Sequence, residues 1–462
     1  MNHYNPFLFC LLTFVLSLAT AGAQQTNNVP TEAAVPLPRL RAEGQKFVGP
    51  DGTPVKLNGV NLGNWLLVEP GVFGGGMGQF PDQYTLFKTL RDRFGEREGN
   101  RLIEVYRDNF ITERDFAEAR RFNINLLRVG FDYSVFEDDA QPMQLRENAF
   151  RHTDKALQLA EKYGMYVLFD LHGAQEQQIA GRQSGRANHN RFWKDPKAQE
   201  RSLWLWQQIV TRYKGRTNVL GYEALNEPWG GGQKALRDYC LTWYKTVRPL
   251  DPETILVLPG GKNEISFYGV PSENGWENVA FDMHFYPGLF GQGTQGPDIH
   301  RTFLTEDMKT WRATMSRMNA PLIIGETKVV YRGPGTAEMT RRYLDAYSAE
   351  GWAMIQWTWK ELSPQSASPT SRWMLATNAQ DWPALDLRTS TQQEIEAFFR
   401  SLSTMPLRFD EEMRHWLTTA EKPSPLEPAA PAPPVVTPAA APGKPSEPVF
   451  ADGEQVEVAY RD

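Results

Sequence analysis

The chain has 462 residues, 41% hydrophobic and 23% charged, which is enough for a sizeable buried core and more than one average domain needs. Its net charge of -6 argues against nucleic acid as a partner, because binding a phosphate backbone requires a basic face. The 14 Trp, 16 Tyr and 25 Phe mostly fill a core, but several Trp fall in expected loops, where flat apolar surfaces suit stacking against sugar rings.

At the N-terminus, Phe7 to Leu18 is an apolar run too short to span a bilayer, and Ala21-Gly22-Ala23 before Gln24 fits a small-residue cleavage site. Residues 1–23 therefore read as a signal peptide, although no Lys or Arg precedes the run, and the mature protein as exported, extracellular or periplasmic, without stable membrane insertion. Cys10 leaves with that segment, so Cys240 remains alone and no internal disulfide is expected. Residues 24–39 are polar and proline-containing, a disordered lead-in. Residues 421–462 are dominated by Pro and Ala and read as a solvated, disordered tail.

Between them, residues 40–420 alternate short apolar runs with longer amphipathic stretches. The strand candidates are Val55–Leu62, Ile124–Val129, Tyr166–Leu171, Leu220–Leu225, Thr254–Leu258, Val279–Met283, Leu322–Gly325 and Trp352–Trp357. Helical patterns such as Arg151–Tyr163 and Gln199–Tyr213 stand between them. Eight such units predict an α/β fold, a (β/α)8 TIM barrel with enlarged βα loops and disordered terminal tails. A hairpin turning at Pro50-Asp51-Gly52 is expected to cap its bottom. A doubly wound sheet would place a GxGxxG turn after its first strand, and Gly74-Gly75-Gly76 lacks that spacing.

Chemistry in a barrel of this kind is built at the C-terminal strand ends. Those ends carry Arg128 in NLLRVG, His172 in DLHG, Asn226 and Glu227 in ALNEPW, His284 and Tyr286 in FDMHFY, Glu326 in IIGET, and Trp357 with Trp359 in IQWTWKE. Each has an ordinary structural reading alone: a surface ion pair for Arg128, a satisfied core ring for His172, a helix-start carboxylate for Glu227, barrel filling for Trp357. Converging on one rim, they form a charge cluster that is costly unless used. The seven His show no HxH or HExxH spacing, and Arg128 in the same mouth argues against a cation, so neither metal nor cofactor is expected.

NGVNLGNWL at the first strand, LHGA after the third, LNEPW at the fourth, HFY at the sixth and GE at the seventh fall in the order of glycoside hydrolase family 5, which the chain resembles from Leu40 to about Leu402. The opening motif and the LHGA loop look more like its exo-β-1,3-glucanase and endoglycoceramidase side than its compact cellulases. The resemblance implies a retaining glycosidase acting on a β-linked oligo- or polysaccharide, with Glu227 as general acid/base and Glu326 as nucleophile. It further implies that Asn226 holds the sugar 2-hydroxyl, that Arg128 and Tyr286 steady Glu326, that His172 and His284 shape the subsite, and that Trp357 stacks beneath the sugar. A period-2 strand puts Trp359 on the same face as Trp357, and the sequence does not separate them.

Two departures bear on the substrate. Thr327 and Lys328 follow Glu326 where the family has an aromatic residue and Gly, so Lys328 is a candidate second charge or subsite wall. The third loop, QEQQIAGRQSGRANHNRFW, is long, polar and holds Arg182, Arg186 and Arg191, fit to wall the cleft or to grip an acidic or branched substrate. The competing functions are a transglycosidase of the same fold, with Trp229 at an acceptor site, and a non-catalytic carbohydrate-binding protein on a retired barrel.

Overall fold

A computed structural model describes residues 36–70, 77–262, 264–290, 295–331, 334–363, 374–382 and 385–426. The expected signal peptide, nearly all of the lead-in, the Gly74–Gly76 run and most of the Pro/Ala-rich segment lie outside those residues. Among the described residues no helix is long and apolar enough to cross a membrane.

Eight parallel strands close a barrel in chain order. They are β1 Asn58–Asn61, β2 Leu126–Asp132, β3 Tyr166–Gly173, β4 Val219–Glu223, β5 Ile255–Pro259, β6 Val279–Phe285, β7 Leu322–Thr327 and β8 Ala353–Gln356. β5 pairs with β6, and β8 closes the ring on β1 through Met354–Asn58, Ile355–Gly59 and Gln356–Val60. All eight expected strands are present. They read as near-continuous apolar runs because both faces of a parallel strand are covered.

The alternation along each strand sorts its side chains into an outer and an inner set. Leu127 and Val129 of β2 join the large core beneath the helices, whereas Leu126 joins a separate cluster inside the barrel with Leu57, Leu168, Ala280, Ile323 and Ile355. Two residues further on, the same inward face carries Arg128, Asp170 and Asp282; two further still, it carries His172 and His284. The barrel is thus apolar at its base and progressively ionised towards the C-terminal rim.

The base is sealed by a hairpin, as expected, but with a different turn. Arg41–Glu43 pairs with Lys46–Val48 around Gly44-Gln45, and Leu40 and Phe47 insert into the inner cluster. Pro50-Asp51-Gly52 forms a second turn, which brings Pro54 back against Val48.

Helices cover most of the barrel wall: Gln83–Phe94, Glu96–Phe110 and Glu113–Arg121 after β1, Arg151–Lys162 after β2, Pro196–Tyr213 after β3, Gly232–Val247 after β4, Pro297–Thr302 and Met308–Met318 after β6, and Thr336–Ala349 after β7. Between β5 and β6 the described residues form only two 3-10 turns, Ser266–Tyr268 and Pro271–Asn274. Gly260, Gly261, Gly269, Pro271 and Gly275 crowd this connection and leave no uninterrupted helical window. After β8, Ala376–Asn378 pairs with Leu407–Phe409, and helices Gln392–Ser401 and Glu411–Thr418 pack on the outer core. The first residues of the expected tail are docked: Ser424 bonds to Arg342 and Glu338, and Leu426 packs on the core.

Candidate active site

Arg128 is the hub of the rim. It is fully buried, and its Nε and Nη2 donate to the two oxygens of Glu223 at 2.8 Å each. Nη2 also donates to Asn226 Oδ1 at 2.8 Å and lies 3.1 Å from Asp170, while Nη1 donates to Asn61 Oδ1 and to Glu326 Oε1, both at 3.1 Å. Burial opposes its charge, but Asp170, Glu223 and Glu326 outweigh that, so the guanidinium stays charged. The planar five-donor fork is what allows one side chain to serve so many acceptors.

Glu326 is held on both oxygens, by Arg128 on Oε1 and by the Tyr286 hydroxyl on Oε2 at 2.8 Å. Burial and the charges of Glu326 and Glu227 keep Tyr286 far above the ordinary phenol value, so it remains a donor. Gly325 leaves room for this strand end, since a Cβ there would lie 2.2 Å from Asp282 Oδ1. Glu227 sits opposite with φ +41°, a left-handed conformation costing about 1–2 kcal/mol for a non-glycine residue. Its Oε1 receives His284 Nδ1 at 2.8 Å and its Oε2 receives Gln183 Nε2 at 3.0 Å. One oxygen of each glutamate and one nitrogen of His284 all lie within 4.8 Å of one another.

His284 stands between the two glutamates, 3.6 Å from Glu326 Oε2, with its other nitrogen 3.1 Å from Asp282. Burial disfavours its charged form, but Glu326, Asp282 and the bond to Glu227 prevail, so the ring is an imidazolium well above its ordinary range. His172 is likewise raised against burial by Asp170, 2.6 Å from its Nδ1, and Asn226 Nδ2 lies 3.2 Å from its Nε2. Burial pushes Glu326 up, helped by Glu227 and opposed by His284 and Arg128. For Glu227 burial is outweighed by the bonds from His284 and Gln183, which hold it below the usual value. The two carboxyls are thus pushed in opposite directions, Glu326 up and Glu227 down, the reverse of the trend expected from Arg128 alone.

Trp357 lies at the edge of this constellation, stacked on His172 with ring centroids 5.7 Å apart and planes at 18°. Gly63 of the NLGNW motif makes room for it, since a Cβ there would meet its ring at 3.1 Å. With Tyr286, Leu289 and Val330 it forms an apolar wall separate from both cores.

A family model, Cellulase (glycosyl hydrolase family 5), matches residues 94–363. The chain belongs to glycosyl hydrolase family 5. Among curated relatives of this family 5 chain, a "Beta-xylosidase" of Phanerodontia chrysosporium is 31% identical over 54% of the chain and 52% of its own length. A "Probable glucan 1,3-beta-glucosidase A" of Emericella nidulans is 30% identical over 59% of the chain and 66% of its length. The family 5 chain thus spans between half and two thirds of those two relatives. Among solved structures it resembles a rutinosidase from Aspergillus niger (TM-score 0.55, 16% identity, 75% of the chain and 98% of that chain). It also resembles an endogalactoceramidase (TM-score 0.57, 15% identity, 82% and 84%). At such identities the likeness concerns the barrel fold alone.

Of the residues singled out in the sequence, Arg128, His172, Asn226, Glu227, His284, Tyr286 and Glu326 form one connected network, with Trp357 beside it. Trp359 is not part of it. β8 ends at Gln356, so the alternation that would align the two indoles does not continue; Trp359 is fully buried in the outer core, donates Nε1 to Asp115 at 2.9 Å and packs on Phe122 and Phe409. Lys328 also turns away: it is buried, which lowers it to about 8, and its nearest opposite charges are Asp410 and Glu361 rather than Glu326.

Asp170, Glu223 and Asp282 escaped the sequence reading although a signal was available. Each is an acid inside an apolar strand, and Asp170 and Asp282 stand two residues before a selected His, hence on the same face. Glu69 and Gln183 come from loops and carried no periodic signal. Glu69 is buried beside the site, and burial, with Glu326 and Glu227 adding, raises it to about 7 against His172 and Arg182. Two groups of potential metal ligands occur among the described residues, Glu223–Asp282–His284 and Glu227–His284–Glu326. Arg128 and the His284 imidazolium already occupy both groups, a donor set that suits carboxylates better than a cation.

Proposed function

We propose that this family 5 chain is an exported retaining β-glycosidase that hydrolyses a β-linked glucan or related oligosaccharide through a glycosyl-enzyme on Glu326. The observation that carries the reading is the unequal treatment of two glutamates less than 5 Å apart. Glu326 is clamped on both oxygens by Arg128 and Tyr286, which orients one lone pair for attack on the anomeric carbon. Glu227 is held instead by uncharged Gln183 and by His284. Retention requires carboxyls roughly 5–5.5 Å apart, inversion roughly 6.5–9.5 Å.

In the first step Glu326 attacks while Glu227 protonates the departing glycosidic oxygen. In the second, Glu227 takes a proton from water, which attacks the anomeric carbon and frees Glu326. Asn226, fixed by Arg128 and His172, presents an amide to the sugar 2-hydroxyl, and Trp357 offers its face to the ring. Glu227 must hold the proton for the first step. The Arg128 and Tyr286 donors favour the ionised Glu326 that attack requires.

The named β-1,3-glucosidase and β-xylosidase relatives direct the substrate test. Laminarin oligomers, cello-oligomers, mannan, xyloglucan, glucosylceramide and aryl β-xyloside are offered, and the anomer of the first product is read by NMR. The β-anomer first, with activity abolished in Glu326→Ala and Glu227→Gln, is the expected result; the α-anomer first, or wild-type activity in either variant, overturns it. Transfer to sugar is a second outcome of the same steps, for which the shallow depression beside Glu227 lined by Trp229, Gly261 and Lys262 offers an acceptor side.

A further inference from the structure

The third loop does more than flank the cleft. Gln183 lies in a short 3-10 turn, Arg182–Ser184, and its amide reaches Glu227 Oε2 at 3.0 Å. The turn is pinned on both sides. Buried Gln178 accepts from Ala174 N at 3.0 Å and donates to the carbonyls of His172 and Asn226 at 2.7 and 2.9 Å, tying the loop to the ends of β3 and β4. Beyond the turn, Gly185 O accepts from Tyr84 N, Ala187 N donates to Asp82, and Ser184 Oγ donates to Ile179 O and Gly181 O. The backbone that carries Gln183 is thus fixed by its neighbours, and it presents the amide to Glu227 Oε2.

Oε1 of Glu227 faces His284, itself buried and backed by Asp282, so Oε2 is the oxygen left for an incoming glycosidic oxygen. That is the oxygen Gln183 covers. An amide N–H bonds more strongly to an ionised oxygen than to the hydroxyl oxygen of a protonated carboxyl, so it favours the anion. We propose that Gln183 is a positioning residue that occupies the leaving-group oxygen's place on Glu227 in the empty cleft, and that the incoming sugar displaces it so that Glu227 can act as the acid. The reading rests on Glu227 being the acid/base. It assigns to the third loop the task of coupling occupancy of the leaving-group side to the proton position. The depressed Glu227 and raised Glu326 of the free cleft agree with it.

The test compares laminaribiose, whose leaving group needs protonation, with 2,4-dinitrophenyl β-glucoside, whose leaving group does not. In Gln183→Ala the ratio of kcat/KM for laminaribiose to that for the aryl glucoside is expected to rise about 10- to 100-fold, the range opened by losing one hydrogen bond to a charged group. The limb of the pH profile that disappears in Glu227→Ala is expected to move up by about one to two pH units. Gln183→Glu, which sets a second carboxyl beside Glu227, must move that limb at least as far in the same direction. A merely structural loss lowers both substrates together and leaves the ratio and the limb in place, which overturns the proposal. A fall in the ratio makes Gln183 a ligand of the sugar and overturns it too. Failure of the underlying reading is seen separately: Glu227→Ala would then keep the wild-type substrate ratio, and added azide would give no β-glycosyl azide.

Discussion

Replacing Glu69 by Gln alters how stability depends on pH, in a direction and size that follow from its burial. Burial raises the carboxyl from its ordinary 4.5 to about 7, with Glu326 and Glu227 adding to the effect. Between those values the folded chain keeps a proton that the unfolded chain has released. Stability therefore falls as pH rises from 4.5 to about 7, and the contribution is constant above. At ~1.4 kcal/mol per pH unit the full difference is about 3 kcal/mol. The 366 described residues, with an unfolding entropy of ~2.1 cal/mol/K each, give ~0.8 kcal/mol/K, so the effect is about 4 °C in Tm. Calorimetry at fixed scan rate near pH 4.5, 6 and 8 measures it, and titrations common to both proteins cancel. Glu69→Gln gains about 4 °C on the wild type across that window; parallel pH curves, or a gap that closes as pH rises, refute the reasoning.

Arg128→Met strands Asp170, Glu223 and Glu326 around an absent charge and is expected to cost about 3–5 kcal/mol of stability, read by urea denaturation, together with all activity. Tyr286→Phe removes one donor from Glu326 Oε2 and leaves the fold intact, so kcat should drop about 10- to 100-fold at unchanged Tm. The two neighbouring indoles separate cleanly. Trp357→Ala should raise KM, at a stability cost of up to about 3–5 kcal/mol because the indole is buried, whereas Trp359→Phe, which deprives Asp115 of a donor in the core, should cost about 1–3 kcal/mol at unchanged KM.

The barrel was legible because eight parallel strands, covered on both faces, leave runs such as Tyr166–Gly173 that little else explains. The helix missing between β5 and β6 was legible too, in its glycines and Pro271, once the run of breakers is weighed against the repeat. Placing Trp359 required knowing that β8 stops at Gln356, a boundary that no side-chain pattern marks. The carboxylate pair was visible as strand-end residues. The opposite directions in which the two are pushed were not, because those depend on His284 and Gln183 arriving from β6 and the third loop at a single atom pair each. Glu69 shows the same limit: its meaning comes from neighbours more than 100 residues away along the chain. Long-range contacts made by loops are set by closure of the fold and carry no local period.

The five acceptors of Arg128 sit on or immediately after β1, β3, β4 and β7, so a single guanidinium laces together strands from both halves of the ring. No half-barrel fragment can hold that set. During refolding, then, enzymatic activity should return only with the final annealing of the ring, later than helix content, which makes turnover itself a clock for barrel closure. Two chain fragments split between β4 and β5 would each be silent, and would regain function only by reassociating around that one side chain.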